Sequence, residues 1–333
     1  MVEISKVIIS FCIISLAFCE ITIGENLYVI HDNGKEGYIN CHGEIIIEPE
    51  YSSAQPFVDG YAIVEKKNFF VINDSGKKIS NVNVNSHLPI IGAREFKNGI
   101  AVVKFLTGGA AFVNRNGEQL FNTCYEDAKS FSFGLSAIKI NGKWGYIDET
   151  GNIVISNKFD MAEPFSGGIA HVSIDNKWGF IDSNGDFLVT PKYLFIAGNH
   201  SNGLSLVFDK HHFKYVDRYG KQLFEVSQIE KAQYFSEGFA RVTIKGRAGY
   251  INTEGKVIIE PRFDDAVEFS DGMASVKLSG KWGFIDRIGN LVIKPQFSSA
   301  AFFKNGLAKV FVNDELSGYI DKKGEYVWRP GKK

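Results

Sequence analysis

The chain reads as an all-β repeat protein, and three observations predict it. Segments return with a period of roughly 35 residues, the length of one supersecondary unit in a tandem array. Each return carries an Asp or Asn followed three residues later by Gly, from Asn40 with Gly43 to Asp321 with Gly324, in nine copies. The Asx side chain can bond its own backbone downstream, and Gly takes the positive-φ position, so each copy signals a hairpin. Flanking segments alternate between apolar and variable positions, the mark of a half-buried strand, while no window sustains a 3.6-residue period. The 333 residues suffice for two ordinary domains, but a regular array overrides that prior.

Within a unit, the strand entering the turn is best seen in Lys143-Trp144-Gly145-Tyr146-Ile147-Asp148, in Lys177 to Asp182 and in Lys281 to Asp286. After the turn comes a β-branched run such as Val257-Ile258-Ile259. A proline often closes it, at Pro49, Pro191, Pro261, Pro295 and Pro330; lacking the ladder N–H, proline is placed at a strand end. A second landmark lies between hairpins and reads Phe-x-x-Gly-x-Ala-x-Val, as in Phe165 to Val172, Phe235 to Val242 and Phe269 to Val276. It predicts a further strand. In one copy His200 replaces the Phe, as a packing substitute. Upstream of each landmark stands an aromatic and an Ala, as in Phe263 and Ala266, which marks either a fourth short strand or a packed crossover.

Taken along the chain, residues 1–19 read as a signal segment. Lys6 precedes an apolar run from Val7 to Cys19, which has the length of a signal h-region and is too short to span a bilayer comfortably. Ala17-Phe18-Cys19 serves as a cleavage site. A lipoprotein box with Cys19 as the lipid-bearing residue is the alternative, against which Phe18 stands where a small residue is wanted. Residues 20–26 form a short lead-in, and the array runs over 27–330 as one domain. Cys41 and Cys124 lie in different units at different positions, which predicts two separate buried thiols rather than a disulfide. Unit two carries about six extra residues within Lys77 to Arg94, a polar stretch containing His87.

The Lys-Trp-Gly-Phe-Ile-Asp segments, together with the Phe-x-x-Gly-x-Ala-x-Val segments, resemble the bacterial WG-repeat family over about residues 27–330. Units two, three and six depart from the motif, with Phe69-Phe70, Ala110-Ala111 and Phe213-Lys214 in place of Trp-Gly. They are expected to keep the strand and lose the close backbone approach that Gly permits. The resemblance implies an all-β repeat fold, often in exported proteins, with poorly defined function and no catalytic residues to carry over. Three or four antiparallel strands per unit suit a β-propeller blade, and a propeller-like ring is the favoured reading. An open, twisted array with capped ends is the alternative.

Little in the sequence points to chemistry. A net charge of −1, with no long single-sign run, lacks the footprint of a nucleic-acid binder. No phosphate loop, nucleophile elbow or Cys-x-x-Cys pair is present. Each repeated Asx turn offers a single carboxylate or amide, too few oxygens for calcium. Asp264-Asp265 falls at a repeated loop position held elsewhere by Ser52-Ser53 or Ser298-Ser299. Adjacent residues of an extended chain face opposite ways, so His211-His212 makes a poor chelate. Neither a metal nor a cofactor is therefore expected. Trp144, Trp178 and Trp282 share one repeat position, and replacement there by Phe69 or Ala248 suits a core position better than a row of sugar platforms.

These readings predict a non-enzymatic, exported scaffold that binds a protein or peptide at the cell envelope. A carbohydrate-binding module is the second reading, and an enzyme the last. Candidate binding positions are those where the repeat fails: His87 and Arg94 around the long loop of unit two, and His211 and His212 beside the degenerate strand of unit six.

Overall fold

A computed structural model describes residues 27–85, 88–209, 212–224, 229–313 and 315–331. Among these there is no helix. Nine small antiparallel sheets, each built from strands consecutive in the chain, follow one another as the blades of a closed β-propeller. The open array is thereby excluded. Blade five is representative, with strands Met161–Ala162, Ala170–Ile174, Lys177–Ile181 and Phe187–Tyr193. The segment ending at the Ala is thus a true strand, the first of its blade and only two residues long in most blades. Blade one has three strands among the described residues, Tyr28–Asp32, Lys35–Ile39 and Ile45–Tyr51.

The turns form as their residues dictate. In blade four the Asp148 Oδ1 accepts from the backbone N–H groups of Thr150 and Asn152 at 3.0 and 2.9 Å. The same double acceptance recurs at Asn114, Asp182, Asp217, Asn252, Asp286 and Asp321. These side chains satisfy turn donors that would otherwise need water.

Pro330 follows the strand Tyr326–Trp328 as expected, but Pro49, Pro191, Pro261 and Pro295 sit inside the last strands of their blades rather than closing them. In blade five Trp178 pairs with Tyr193 and Phe180 with Val189, so one residue of the third strand faces three of the fourth. The bulge contains Pro191, whose missing N–H costs nothing where no ladder bond is made. It leans directly on Gly179, where an added Cβ would lie 2.3 Å from the Val189 carbonyl and 2.8 Å from the Pro191 nitrogen. Gly37, Gly249 and Gly283 meet Pro49, Pro261 and Pro295 in the same way, so glycine and proline are two halves of one contact there, whereas Gly145 meets Asn157. Blade two, with Phe70 at the glycine position, loses the bulge there and has a last strand of four residues. Blade three keeps a differently shaped bulge over Ala111.

The core lies between blades rather than within them. One apolar cluster joins Trp144, Tyr146, Ile155 and Phe159 of blade four to Phe165, Ala170, Val172 and Ile181 of blade five. Tyrosine hydroxyls cross the same seams, Tyr146 to the Glu163 carbonyl and Tyr250 to the Val267 carbonyl, both at 2.7 Å. Identical chemistry closes the ring. Ile30 and Ile39 of blade one pack with Leu307, Tyr319 and Trp328 of blade nine. The Tyr319 hydroxyl donates to the Val29 carbonyl at 2.8 Å, and Tyr28 donates to the Asn305 carbonyl at 2.6 Å.

The long insertion of unit two is partly tied down. Asn83 bridges to Glu118 of blade three, and its N–H donates to the Gly117 carbonyl at 2.7 Å. The cysteine reading needs correction. Cys41 is half-exposed and Cys124 exposed, and neither is in a disulfide; Cys124 stands on the last strand of blade three, in a run of three exposed residues.

Candidate binding site at the fifth and sixth blades

One face of the ring gathers the Asx turns and the hairpin ends that precede the second strands. There the residue after the Asx of one blade reaches back to the residue before the landmark Gly of the preceding blade. Arg115 pairs with Asp59 at 2.7 Å, Arg287 with Glu237 at 2.8 Å and Lys322 with Asp271 at 2.9 Å. Asn98 donates to Glu149 at 2.8 Å in the same place. Several of these acceptors also take the N–H of the next blade's glycine, Gly272 on Glu237 and Gly306 on Asp271. A belt of cross-blade polar contacts results.

The belt fails between blades five and six. Gly167 stands where the acceptor should be, and Arg218 stands where the cation is. No ion pair joins Arg218 to any described carboxylate, and its Nε is buried without a hydrogen-bond partner. Its guanidinium lies 5.7 Å from the Tyr219 ring, and Tyr219 is 66% exposed. One blade back, the acceptor position is filled by Phe133, also 66% exposed and at φ 53°, an uncommon conformation for an aromatic residue.

Beneath this break the seam is polar. At the landmark Phe and Ala positions this seam holds His200 and Ser205, and His171 stands at the variable position that is Ile63 or Ala137 in some blades and Arg241 or Lys309 in others. Their chain is continuous: His200 Nδ1 lies 2.9 Å and His171 Nε2 3.0 Å from the Ser205 hydroxyl. All three residues are buried. One hydroxyl hydrogen serves both rings if Ser205 donates to one imidazole and accepts from the other. Burial, with the neighbouring His200, pushes His171 down to about 3. Burial, then the charge of Arg218, holds His200 below its ordinary value. Both rings are therefore neutral at neutral pH. His200 is the packing substitute that the repeat pattern predicted, but it carries a polar network with it.

His171 also lines a cleft of about 310 Å³ between the same two blades, with Trp178, Phe195 and Ile196 on its walls and Glu163 and Asn199 among its polar groups. Glu163 is held by Lys129 at 2.6 Å. Of the three tryptophans at the shared repeat position, Trp144 is buried at 5% while Trp178 and Trp282 are half-buried, so no exposed row of rings exists. Among the described residues no group of three or more His, Cys, Asp or Glu side chains is placed to hold a metal ion.

Of the four sequence-predicted positions, Arg94 and His212 are described, in blades three and six. His87 and His211 lie outside the described residues. Arg94 is exposed beside the first strand of blade three, and its N–H bonds the Val102 carbonyl. His212 is exposed in blade six, its N–H on Asp209. Blade six is nevertheless where the break lies. Arg218 and Gly167 were missed although the signal was available: the residues before the landmark Gly are acids or amides in most units, and those after the Asx are often basic.

The architecture defines the class, a nine-bladed β-propeller assembled from tandem repeats. The family model described as "WG containing repeat" matches residues 37–68, 111–144, 144–178, 178–208, 249–282 and 282–315. These segments span more than half of the chain, which therefore belongs to the WG-repeat family. Among solved structures it is similar to a eukaryotic initiation factor, at TM-score 0.62 and 10% identity over 92% of this chain and 99% of that one. The computationally designed Ika8 protein matches at TM-score 0.48 and 12% identity, over 88% and 98%. BamB from Moraxella catarrhalis matches at 0.43 and 10%, over 76% and 91%. At such identities the likeness concerns the fold alone. No curated protein matches.

Proposed function

We propose that this chain is a non-enzymatic repeat scaffold, exported to the cell envelope, that binds a protein or peptide. One observation carries the binding reading. The last strand of each blade is an edge of its sheet, and in four blades its first two residues are exposed apolar pairs. These are Ile45 with Ile46, Ile153 with Val154, Val257 with Ile258, and Leu291 with Val292, all between 37% and 55% exposed. An edge strand has an unpaired backbone row, and apolar side chains beside it suit the addition of an extended segment. Export is supported by Lys6 and the apolar run that follows it, which lie outside the described residues. To test binding, the purified chain and a variant with Val154→Lys and Ile258→Lys are used for affinity capture from the native envelope. A partner held by the parent and lost from the variant supports the reading, whereas identical capture by both overturns it.

A glycan-binding reading rests on the cleft walled by Trp178 and Phe195, since aromatic faces stack on sugar rings. Quenching of tryptophan fluorescence by cell-wall saccharides in the parent, absent in Trp178→Ala, is the result that would favour it.

A further inference from the structure

We propose that Arg218, with Tyr219 and Phe133, receives an acidic side chain of a peptide or protein partner on the turn-bearing face of blades four to six. The proposal rests on the protein-binding reading but uses a different surface from the apolar edge strands. Three observations support it. First, at the corresponding places Asp59, Glu237 and Asp271 of the preceding blade each neutralise the cation. Gly167 removes that carboxylate at Arg218, so the belt is short of one anion where its cation is retained. Second, the deficit is not made good internally. Asp217, the nearest acid in sequence, has its Oδ1 engaged by the N–H groups of Tyr219 and Lys221, and His200 beside the guanidinium is a neutral base. Third, the Tyr219 ring lies 5.7 Å from the guanidinium, and Phe133 holds the acceptor position of the preceding blade. Tyr219 and Phe133 are each 66% exposed, and Phe133 holds a left-handed backbone at a position where the other blades carry polar residues or glycine.

An arginine beside exposed aromatic rings is the composition of an interface hot spot, where a desolvated carboxylate gains a charge-assisted hydrogen bond. A phosphate polymer is the poorer occupant, because it would need a row of cations and the chain has a net charge of −1. The missing carboxylate is fixed by packing: an added Cβ at Gly167 would lie 2.8 Å from the His200 ring, so that ring keeps a side chain out of this position.

The test is selection of displayed random peptides on the immobilised full chain, followed by fluorescence polarisation with the enriched sequences made synthetically. Expected are peptides with Asp or Glu next to an apolar residue. Arg218→Gln should weaken their binding at least about tenfold, Arg218→Lys less, and Tyr219→Ala severalfold, with thermal melting of each variant confirming that it folds. Enrichment without acidic residues, binding unchanged by Arg218→Gln, or no enrichment at all would overturn the site. A single-stranded oligonucleotide that binds the parent and not Arg218→Gln would overturn the acidic-peptide occupant. Non-acidic peptides bound equally by the parent and Arg218→Gln, but lost from the edge-strand variant, would sink this proposal and leave the general binding reading standing.

Discussion

At the scale of single residues, the glycine following Trp carries the most stringent demand in the repeat. At Gly283 an added Cβ would meet the Ile293 carbonyl at 2.4 Å and the Pro295 nitrogen at 2.7 Å. Both are backbone atoms that cannot swing aside. Gly283→Ala is therefore expected to cost about 1–3 kcal/mol as overpacking, read as a lower urea midpoint. Ala at Gly246, where nothing lies within 4 Å but φ is +72°, serves as a control for conformational strain alone. The glycine was legible as a place of close approach because it recurs with an aromatic on either side. Its partner was not. Pro191 looked like a stop signal because local chemistry says only that proline cannot join a ladder, and a bulge formed against the neighbouring strand is tertiary information.

Elements repeat well enough that their number and order could be read from the turns, and the second and third strands were fully visible. The first strand is two residues in most blades, too short for any alternation to show. Where blades five and six meet, packing rules change from apolar to polar, and this gives a pH dependence with a definite sign. His171 and His200 both have folded-state values held below the ordinary imidazole value, so the unfolded chain binds protons more readily. The stability they allow is fully present above about pH 6.5 and is lost as pH falls from there toward about 3 for His171. Facing groups divide. His200 opposes a charge on His171 and Arg218 one on His200, while the Gly198 backbone and Asp217 favour charging by smaller amounts, so the downward shifts stand. Restoring the repeat with His171→Ala, Ser205→Ala and His200→Phe should flatten the melting temperature between pH 7 and 4. An acid limb as steep as the parent's would assign it to the carboxylates instead. The seam itself was half-legible: His200 was conspicuous as a missing Phe, but Ser205 and His171 are ordinary letters until the fold sets them 3 Å apart.

For the whole molecule, ring closure was the question that sequence left open, because nine hairpins satisfy an open array as well as a ring. The contacts decide it. Gly43 of blade one abuts blade nine as Gly185 abuts the blade before it, and an added Cβ would stand 2.0 Å from the Val327 carbonyl. Gly43→Ala should loosen this seam ahead of the others. Hydrogen exchange should then accelerate in Tyr28–Ile39 and Glu315–Trp328 while blades four and five stay protected. Uniform exchange across all blades would show that closure is carried elsewhere.

The bond from Tyr319 to Val29 spans 290 positions, which sets an order in time. Contacts of such separation carry the greatest loop-closure cost and form late. Blade one is synthesised first and receives its last neighbour at the end, so Ile30 and Ile39 wait uncovered while the other blades stack. A chain stopped after Phe297 keeps both flanks bare permanently. Such a fragment can satisfy them only on other copies of itself, head to tail, and should appear as a ladder of oligomers where the full ring runs as one species.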